Sequence, residues 1–296
     1  MKNIPFAAFA FFVVKILAFL STSLMLSGCK PAPAPLPPPS SPEPRVISLA
    51  PSITEIVYAL NGTNQLIGRS SACDYPPAAV SNVPVVGDFG VPSLERILSL
   101  KPDQVLYTDI ADPLMDSKMK RAGLHPIHVT CDRLQDIPTA ITQIGQLIHR
   151  ESDAQVMASN LTWQIAMARQ QAKAFTHRPR VLVLIWHDPF YAAGRRSFVS
   201  DLIELAGGEN IGDEIDRDYF QASSEWVLSH NPDIIFCFFM ASSTPVRQII
   251  LRQPGWSRIK AVHDGRVYDG FDNNVALRPG PRVMQGLEII KKQIQE

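Results

Sequence analysis

The sequence predicts an α/β protein of two lobes with parallel-sheet cores, joined by one long backbone helix and facing each other across a cleft. Strand-like and helix-like segments alternate through residues 45–150 and again through 179–296, which is typical of parallel sheets covered by helices. One uninterrupted helical segment, 151–178, separates the two halves. The halves also share a short motif that recurs at an offset of 130 residues.

The connecting segment is predicted as a helix from the spacing of its apolar residues. These recur three or four positions apart, as one face of a helix requires. They are Ala154, Met157, Leu161, Ile165, Ala168, Ala172 and Phe175. Ser152 with Gln155 fits a capping box, Pro179 ends the segment, and about 24 residues would span about 36 Å. A long surface helix within one domain is the alternative, but the similarity of the flanking halves favours a connection between lobes.

The flanking elements follow from apolar runs and turn residues. In the first lobe, strands are predicted at 46–49, 66–69, 104–107 and 125–129, with helices at 52–60, 93–100, from 113, and at 137–150. In the second lobe, strands are predicted at 180–185, 233–239 and 265–268, with helices at 198–206, 224–229, 245–252 and 281–295. Two loops, 187–196 and 213–222, contain the aromatic residues Phe190 and Tyr219.

The N-terminal region is predicted to lie outside this fold. An apolar run covers residues 4–26 but contains Lys15, which at mid-span would cost a transmembrane helix about 2.5–3.5 kcal/mol. The sequence Leu26-Ser27-Gly28-Cys29 resembles a bacterial lipobox, which implies a signal peptide over 1–28 and lipidation of Cys29. Residues 29–44 are rich in proline and form an extended tether. A transmembrane anchor and a plain signal peptide are the alternatives.

Composition and missing motifs exclude several functions. Lys and Arg number 28 and so do Asp and Glu, and no basic tract occurs, so nucleic acid is not an expected partner. The sequence has no GxSxG, HExxH or glycine-rich phosphate loop, so an enzyme is not expected. No metal site is expected, because the cysteines lack CxxC spacing and His187 stands alone at a strand end. A Cys73–Cys131 disulfide is left open, and Cys237 is predicted to be a buried thiol.

The recurring motif relates one helix in each lobe. It runs over 93–103 and 223–233, and Ser, Glu, Leu, Ser, Pro and Asp recur at matching positions. Glu95 and Glu225 therefore fall in the first turns of equivalent helices. Each would favour its helix dipole by about 0.3–1 kcal/mol, but that effect alone does not explain why helix and loop both recur.

Several motifs together resemble the substrate-binding proteins of ABC importers whose lobes are joined by one backbone helix, the class that takes up cobalamin, ferric siderophores and haem. They are Arg45-Val46-Ile47-Ser48-Leu49, Thr54-Glu55-Ile56, Leu94-Glu95-Arg96-Ile97, Lys101-Pro102-Asp103, Ala206-Gly207-Gly208-Glu209-Asn210 and Gly280-Pro281-Arg282. Within the class, Ser70-Ser71 and Asp74-Tyr75-Pro76-Pro77 most resemble the vitamin B12-binding members.

This resemblance implies a ligand site in the cleft. Aromatic walls would hold the faces of a large metal chelate, and polar groups would contact its rim. The residues implied are Tyr75, Phe89, Phe190, Tyr219, Asn274 and Arg278. Phe89 and Tyr219 fall where the B12-binding members have tryptophan, and Asn274 replaces an acidic residue. The implied ligand is a corrinoid, with a ferric siderophore or haem as the alternative; the chelate is cargo, and no cofactor is expected.

The resemblance also implies partners and a location. Glu95 and Glu225 match the pair that docks on the permease homodimer, which works with its ATPase subunits. The protein is expected to be a monomer in the cell envelope, periplasmic or otherwise extracytoplasmic, and anchored through lipid on Cys29. An enzyme, and an envelope sensor or chaperone built on the same fold, are the other classes considered.

Overall fold

The computed structural model describes residues 43–239 and 245–295, in which two sheets lie on either side of a long helix. The predicted signal peptide, Cys29 and most of the linker lie outside the described residues. The first lobe contains β1 (Val46–Ser48), α1 (Pro51–Ala59), β2 (Leu66–Arg69), α2 (Pro77–Val80), β3 (Gly87–Asp88), β4 (Val91–Pro92), α3 (Leu94–Leu100), β5 (Gln104–Tyr107), α4 (Met115–Arg121), β6 (Pro126–His128) and α5 (Ile137–Leu147).

The long helix and the second lobe follow in the chain. They contain α6 (Glu151–Ala172), β7 (Arg180–His187), β8 (Phe190–Ala193), α7 (Phe198–Ala206), β9 (Glu209–Asn210), β10 (Tyr219–Gln221), α8 (Ser224–His230), β11 (Ile234–Cys237), α9 (Val246–Leu251), α10 (Lys260–His263), β12 (Val267–Tyr268), α11 (Asn273–Ala276) and α12 (Val283–Gln295). None of the helices in the described ranges combines the length and the apolar character needed to cross a bilayer.

The first lobe contains the parallel sheet that the sequence predicts. Its strand order is β2-β1-β5-β6, and each neighbouring pair is parallel. Val46, Ile47, Val105 and Leu106 are fully buried, because helices cover both faces of such a sheet. All four strands end at the same edge, so the loops that follow them lie next to one another.

The second sheet is mixed, which corrects two predicted loops. Its order is β10-β8-β7-β11-β12, with β9 beside β7. The strands β7, β9, β11 and β12 pair in parallel, whereas β8 and β10 are antiparallel. The segments 187–196 and 213–222 were predicted as loops, but Phe190 and Tyr219 lie in β8 and β10. These strands are only four and three residues long, too short for an alternating pattern to identify them.

The long helix α6 packs on both lobes. Its 22 residues span about 33 Å, and the predicted stripe is buried at Ala154, Leu161, Ile165, Ala168 and Ala172. From Ala154 to Ala168, this stripe belongs to one cluster of apolar side chains that continues from the first lobe into the second. At Gly145 in α5, an added Cβ would lie 2.2 Å from that of Ala154, so glycine permits the close approach of α5 and α6.

The predicted ends of α6 need correction. The helix begins at Glu151, with Arg150 at the N-cap and no side-chain cap, so Ser152 lies inside the first turn instead of capping it. The carbonyl of Arg150 accepts from the amide of Ala154 at 3.0 Å. The helix ends at Ala172, one turn before the predicted end at Phe175.

The recurring motif forms the same helix and turn in both lobes. The hydroxyls of Ser93 and Ser223 cap α3 and α8, accepting from backbone amides at 3.4 Å and 3.2 Å. Both helices end in a left-handed residue, Lys101 with φ 47° and Asn231 with φ 43°. The repeat therefore has structural reasons: a serine caps the start of each helix, and a left-handed residue ends it.

The aspartate that ends the motif joins each helix to its sheet. The carboxylate of Asp103 accepts from the amide of Arg45 at 2.7 Å, and that of Asp233 accepts from the amide of Arg180 at 2.8 Å. Arg45 precedes β1 and Arg180 begins β7, so each aspartate fixes the start of the first strand of its lobe. This part of the repeat serves the fold.

A polar contact also links the lobes. The guanidinium of Arg133, beside α5, donates to both carboxylate oxygens of Asp201 in α7, and the amide of Leu134 donates to the same carboxylate at 3.0 Å. The carboxylate raises the pKa of Arg133 through these hydrogen bonds. Together with the packing of α6, this contact fixes the position of α5 relative to α7.

Candidate ligand site

A cavity of about 400 Å³ opens where the carboxyl edge of the first sheet meets the second lobe. Loops after all four strands of that sheet line one side, and the segment around α11 lines the other. The lining residues are Ala50, Pro51, Ser52, Ala72, Asp74, Phe89, Thr108, Asp109, Cys131, Asp132, Asn273, Asn274, Leu277, Arg278 and Pro279. Its size lies within the usual range for small-molecule sites, and ligands commonly bind at this edge of open α/β sheets.

Three predicted site residues line this cavity. Phe89 lies between β3 and β4 and is 45% exposed. Asn274 and Arg278 stand one helical turn apart at α11, and a guanidinium nitrogen of Arg278 donates to the side-chain oxygen of Asn274 at 2.7 Å. The structure therefore brings an exposed aromatic ring of the first lobe and two polar residues of the second to one space.

Beside the cavity, a buried carboxylate holds two arginines. Glu55 in α1 accepts from Arg278 Nη1 at 2.8 Å and from Arg282 Nε and Nη2 at 2.8 and 2.7 Å. Its side chain is only 3% exposed. Arg278 Nη1 also donates to Asp74 at 2.9 Å. Charge-assisted and bidentate bonds of this kind are among the stronger hydrogen bonds, so the orientation of Arg278 is set by the protein itself.

Tyr75 adjoins this cluster. The guanidinium carbon of Arg282 lies 3.7 Å from the centre of the Tyr75 ring, within the distance of a cation–π contact. Tyr75 is 39% exposed, and its neighbour in the chain, Asp74, lines the cavity. One face of Tyr75 is therefore occupied by Arg282, and the ring stands at the margin of the cavity.

The two predicted aromatic residues of the second lobe differ in position. Tyr219 is 41% exposed. Partial burial, followed by the carboxylates of Asp218 and of Asp109 in the first lobe, raises the pKa of Tyr219. Phe190 is only 7% exposed and stacks on Trp256 with ring centres 4.9 Å apart. The structure places Phe190 in the core of the second lobe, and the residue does not line the cavity.

Sequence reasoning missed several charged residues at this site. Asp109 and Asp132 follow β5 and β6 and line the cavity. Burial, followed by the neighbouring carboxylates of Asp109, Asp136 and Asp218, raises the pKa of Asp132, which His128 opposes. An aspartate two or three residues after a predicted parallel strand was the available signal. Glu55 and Arg282 stood inside recognised motifs, but no local pattern indicates that they meet.

The cysteines and His187 take structural positions. Cys73, Cys131 and Cys237 are all buried and free. Burial raises the pKa of Cys131 to about 12, and its thiol lies 3.1 Å from the carbonyl oxygen of Pro279. Burial raises the pKa of Cys237 still further, as the prediction of a buried thiol requires. The ring of His187 packs between Trp186 and Phe239. Residues 43–239 and 245–295 contain no group of three potential metal ligands.

The two glutamates of the repeat stand in equivalent positions. Glu95 lies in the first turn of α3 and Glu225 in the first turn of α8, and both are exposed. In the part of the chain that the structure describes, neither carboxylate has a hydrogen-bond or ion-pair partner.

Two lobes around a helix, with a cavity between them at the carboxyl edge of a parallel sheet, define the class of two-lobed ligand-binding proteins. The chain belongs to the periplasmic binding protein family, whose model matches residues 46–273. This match confirms the class inferred from the sequence motifs, that of substrate-binding proteins of ABC importers, and it agrees with the expectation that the protein is not an enzyme.

Individual relatives support the same class. The chain is 28% identical to the uncharacterized ABC transporter substrate-binding lipoprotein YvrC of Bacillus subtilis over 84% of this chain and 79% of YvrC. Among solved structures, the apo periplasmic haem-binding protein RhuT of Roseiflexus sp. RS-1 is 27% identical, with a TM-score of 0.77 over 85% of this chain and 98% of RhuT. The periplasmic vitamin B12-binding protein BtuF of Vibrio cholerae is 25% identical, with a TM-score of 0.71 over 86% and 97%.

Proposed function

We propose that the protein captures a corrinoid in its cleft and delivers it to the permease of an ABC importer. The observation that supports this most is the cavity between the lobes, which Phe89, Asn274 and Arg278 line together. A corrinoid has broad apolar faces and a polar rim, so it suits a site that combines aromatic rings with hydrogen-bonding groups.

The motif around Tyr75 favours a corrinoid over the other ligands of the class. Asp74-Tyr75-Pro76-Pro77 is the part of the sequence that most resembles the vitamin B12-binding members, and it lies at the cavity. BtuF, a vitamin B12-binding protein, shares the fold over nearly its whole length. Tyr219, in the second lobe, would supply a second ring.

Haem is the second candidate, because RhuT is a haem-binding protein and its structure is more similar to this one than that of BtuF. Haem, like a corrinoid, combines broad apolar faces with a polar rim, so it would suit the same kind of cavity. A ferric siderophore is the other alternative ligand, because binding proteins of this class also take up ferric siderophores.

Equilibrium titration and thermal shift with cyanocobalamin, cobinamide, haemin and ferric siderophores test the proposal. A ligand at one hundred times its Kd stabilises the protein by about 2.7 kcal/mol. We expect Tyr75→Ala and Tyr219→Ala each to weaken corrinoid binding by more than about 1 kcal/mol through lost stacking. Trp163→Ala is the matched control, since Trp163 is 62% exposed on α6 and does not line the cavity. Indifference to every corrinoid, with clear binding of haemin, would establish the alternative.

The proposal extends to docking and anchoring. Glu95 and Glu225 begin equivalent helices, one per lobe, and a single chain can meet a two-fold symmetric permease only by presenting similar features from both lobes. Arginines on the permease would suit them, because a guanidinium fork matches a carboxylate. Lipid on Cys29 would hold the protein at the outer face of the membrane, with 29–44 as the tether.

A further inference from the structure

The charged groups around the cavity do not balance. The cavity is lined by three carboxylates and one guanidinium, those of Asp74, Asp109, Asp132 and Arg278. Arg278 is already bonded to Glu55 and Asp74. With Arg282 also held by Glu55, the two arginines and these two carboxylates form a neutral group that leaves no positive charge for a ligand.

Asp109 and Asp132 are the two other charged residues that line the cavity. In residues 43–239 and 245–295, neither has a hydrogen-bond or ion-pair partner, although each follows a strand that ends at the cavity. Burial and then the carboxylate of Asp109 raise the pKa of Asp132, and His128 acts in the opposite direction. Both carboxylates line the same cavity.

The second lobe has charges of both signs near Tyr219, where Arg195 pairs with Asp216 and Arg196 pairs with Asp218. Asp218 also raises the pKa of Asp132, and Asp218 is itself paired with Arg196 at 3.5 Å. Burial, then Asp218 and Asp109, raise the pKa of Tyr219. Asp109 and Asp132 therefore border the cavity without an ion-pair partner among the described residues, whereas Arg195 and Arg196 of the second lobe are already paired.

We propose that Asp109 and Asp132 select the ligand by its rim: they accept hydrogen bonds from primary amides or cationic groups and exclude ligands whose rim carries carboxylates. This inference rests on the proposed function, since it concerns the same cleft. A carboxylate accepts hydrogen bonds and cannot donate, so amide N–H groups complement it, whereas a ligand carboxylate meets like charge. Selection by repulsion is a usual route to specificity.

A pair of ligands that differ by one group provides the test. Cyanocobalamin carries side-chain amides, and its monocarboxylic acids replace one amide by a carboxylate of nearly the same shape. Kd would be measured at pH 7 for wild type, for Asp109→Asn/Asp132→Asn, and for the control Asp264→Asn. Asp264 lies away from the cavity beside His263, and its substitution removes charge without touching the lining.

We expect wild type to bind cyanocobalamin at least about tenfold more tightly than the monocarboxylic acid whose carboxylate comes next to Asp109 and Asp132. In the double variant the ratio should fall to about threefold or less, mainly because the acid binds more tightly, and Asp264→Asn should keep the wild-type ratio. An equal ratio in wild type and double variant overturns the inference and leaves corrinoid binding intact.

The experiment separates the two proposals. If no corrinoid binds but haemin does, the proposed ligand is wrong, and haemin with its dimethyl ester then provides the same comparison between acid and neutral rim. A wild-type preference for the diacid overturns the inference, whereas a preference for the ester that disappears in the double variant supports it. Failure of all four probes to bind overturns both proposals.

Discussion

Glu55 should contribute more to the free energy of unfolding than an exposed carboxylate bound to the same arginine, and Glu55→Ala tests this. The carboxylate is 3% exposed and accepts three N–H groups, at 2.8 Å from Arg278 and at 2.8 and 2.7 Å from Arg282. The two arginine side chains are themselves only 11% and 14% exposed. Removal of the carboxylate would leave two guanidinium groups in a site from which water is largely excluded.

The expected loss follows from that burial. Removing one partner of a buried ion pair costs about 3–5 kcal/mol, because the remaining charge stays desolvated. In a domain of this size, each kcal/mol lowers Tm by roughly 2–4 °C, so the variant should melt about 6–20 °C below wild type. The pKa of Arg282 is raised, mainly by its hydrogen bond to Glu55, which agrees in sign with a stabilising pair.

Asp74→Ala is the matched control. Asp74 binds the same guanidinium nitrogen of Arg278 at 2.9 Å, but its side chain is 51% exposed. An exposed pair contributes about 0–1 kcal/mol. Urea unfolding followed by circular dichroism would measure both variants. A loss for Glu55→Ala no greater than that for Asp74→Ala would refute the reasoning that burial decides the value of this pair.

The remaining predictions concern docking, anchoring and pH. Glu95→Lys with Glu225→Lys should abolish uptake in proteoliposomes while ligand affinity and Tm stay near wild type; normal uptake would leave the glutamates as helix-start residues only. Cys29→Ala should release the folded protein from membranes, and a variant that still sediments with them would favour uncleaved insertion. The raised pKa of Asp132 means that the folded state favours its protonated form. This contribution is present below the ordinary carboxyl pKa and is lost as the pH rises through the raised value. Asp132→Asn should therefore be more stable than wild type at pH 7 but not at pH 3, and an equal change at both values in urea unfolding would contradict this.

Local patterns were sufficient for much of the fold. The spacing of apolar residues located α6 and its buried stripe, because a helix places residues three and four apart on one face. The repeat located α3 and α8, since serine caps and the turn that follows are set by neighbouring residues. The ends of α6 and the strands β8 and β10 were missed. The helix α6 begins one residue before the expected cap Ser152 and has no side-chain cap, and helix ends are the least certain part of such a prediction. Strands of three or four residues show too little periodicity.

The site was predictable in part for the same reason. Phe89, Asn274 and Arg278 line one cavity, and their role in ligand binding stays a prediction. Phe190 had the same kind of local sequence, yet its ring packs on Trp256, 66 positions further along the chain. Whether an aromatic residue faces a ligand or the core depends on which distant element covers it, and a single sequence does not contain that information in any local window.

The sequence by itself determined the class of this protein, the two-lobed plan and the positions of the paired glutamates, because these depend on motifs and periodicity within single segments. Only the tertiary structure decided the electrostatics of the cleft. Glu55 and Arg278 are 223 positions apart, and their contact neutralises the arginine that the sequence offered to a ligand. Asp109 and Asp132, in the loops after two separate strands, line the cavity without an ion-pair partner among the described residues. Charges act through distance in space, so their balance exists only once the chain has folded.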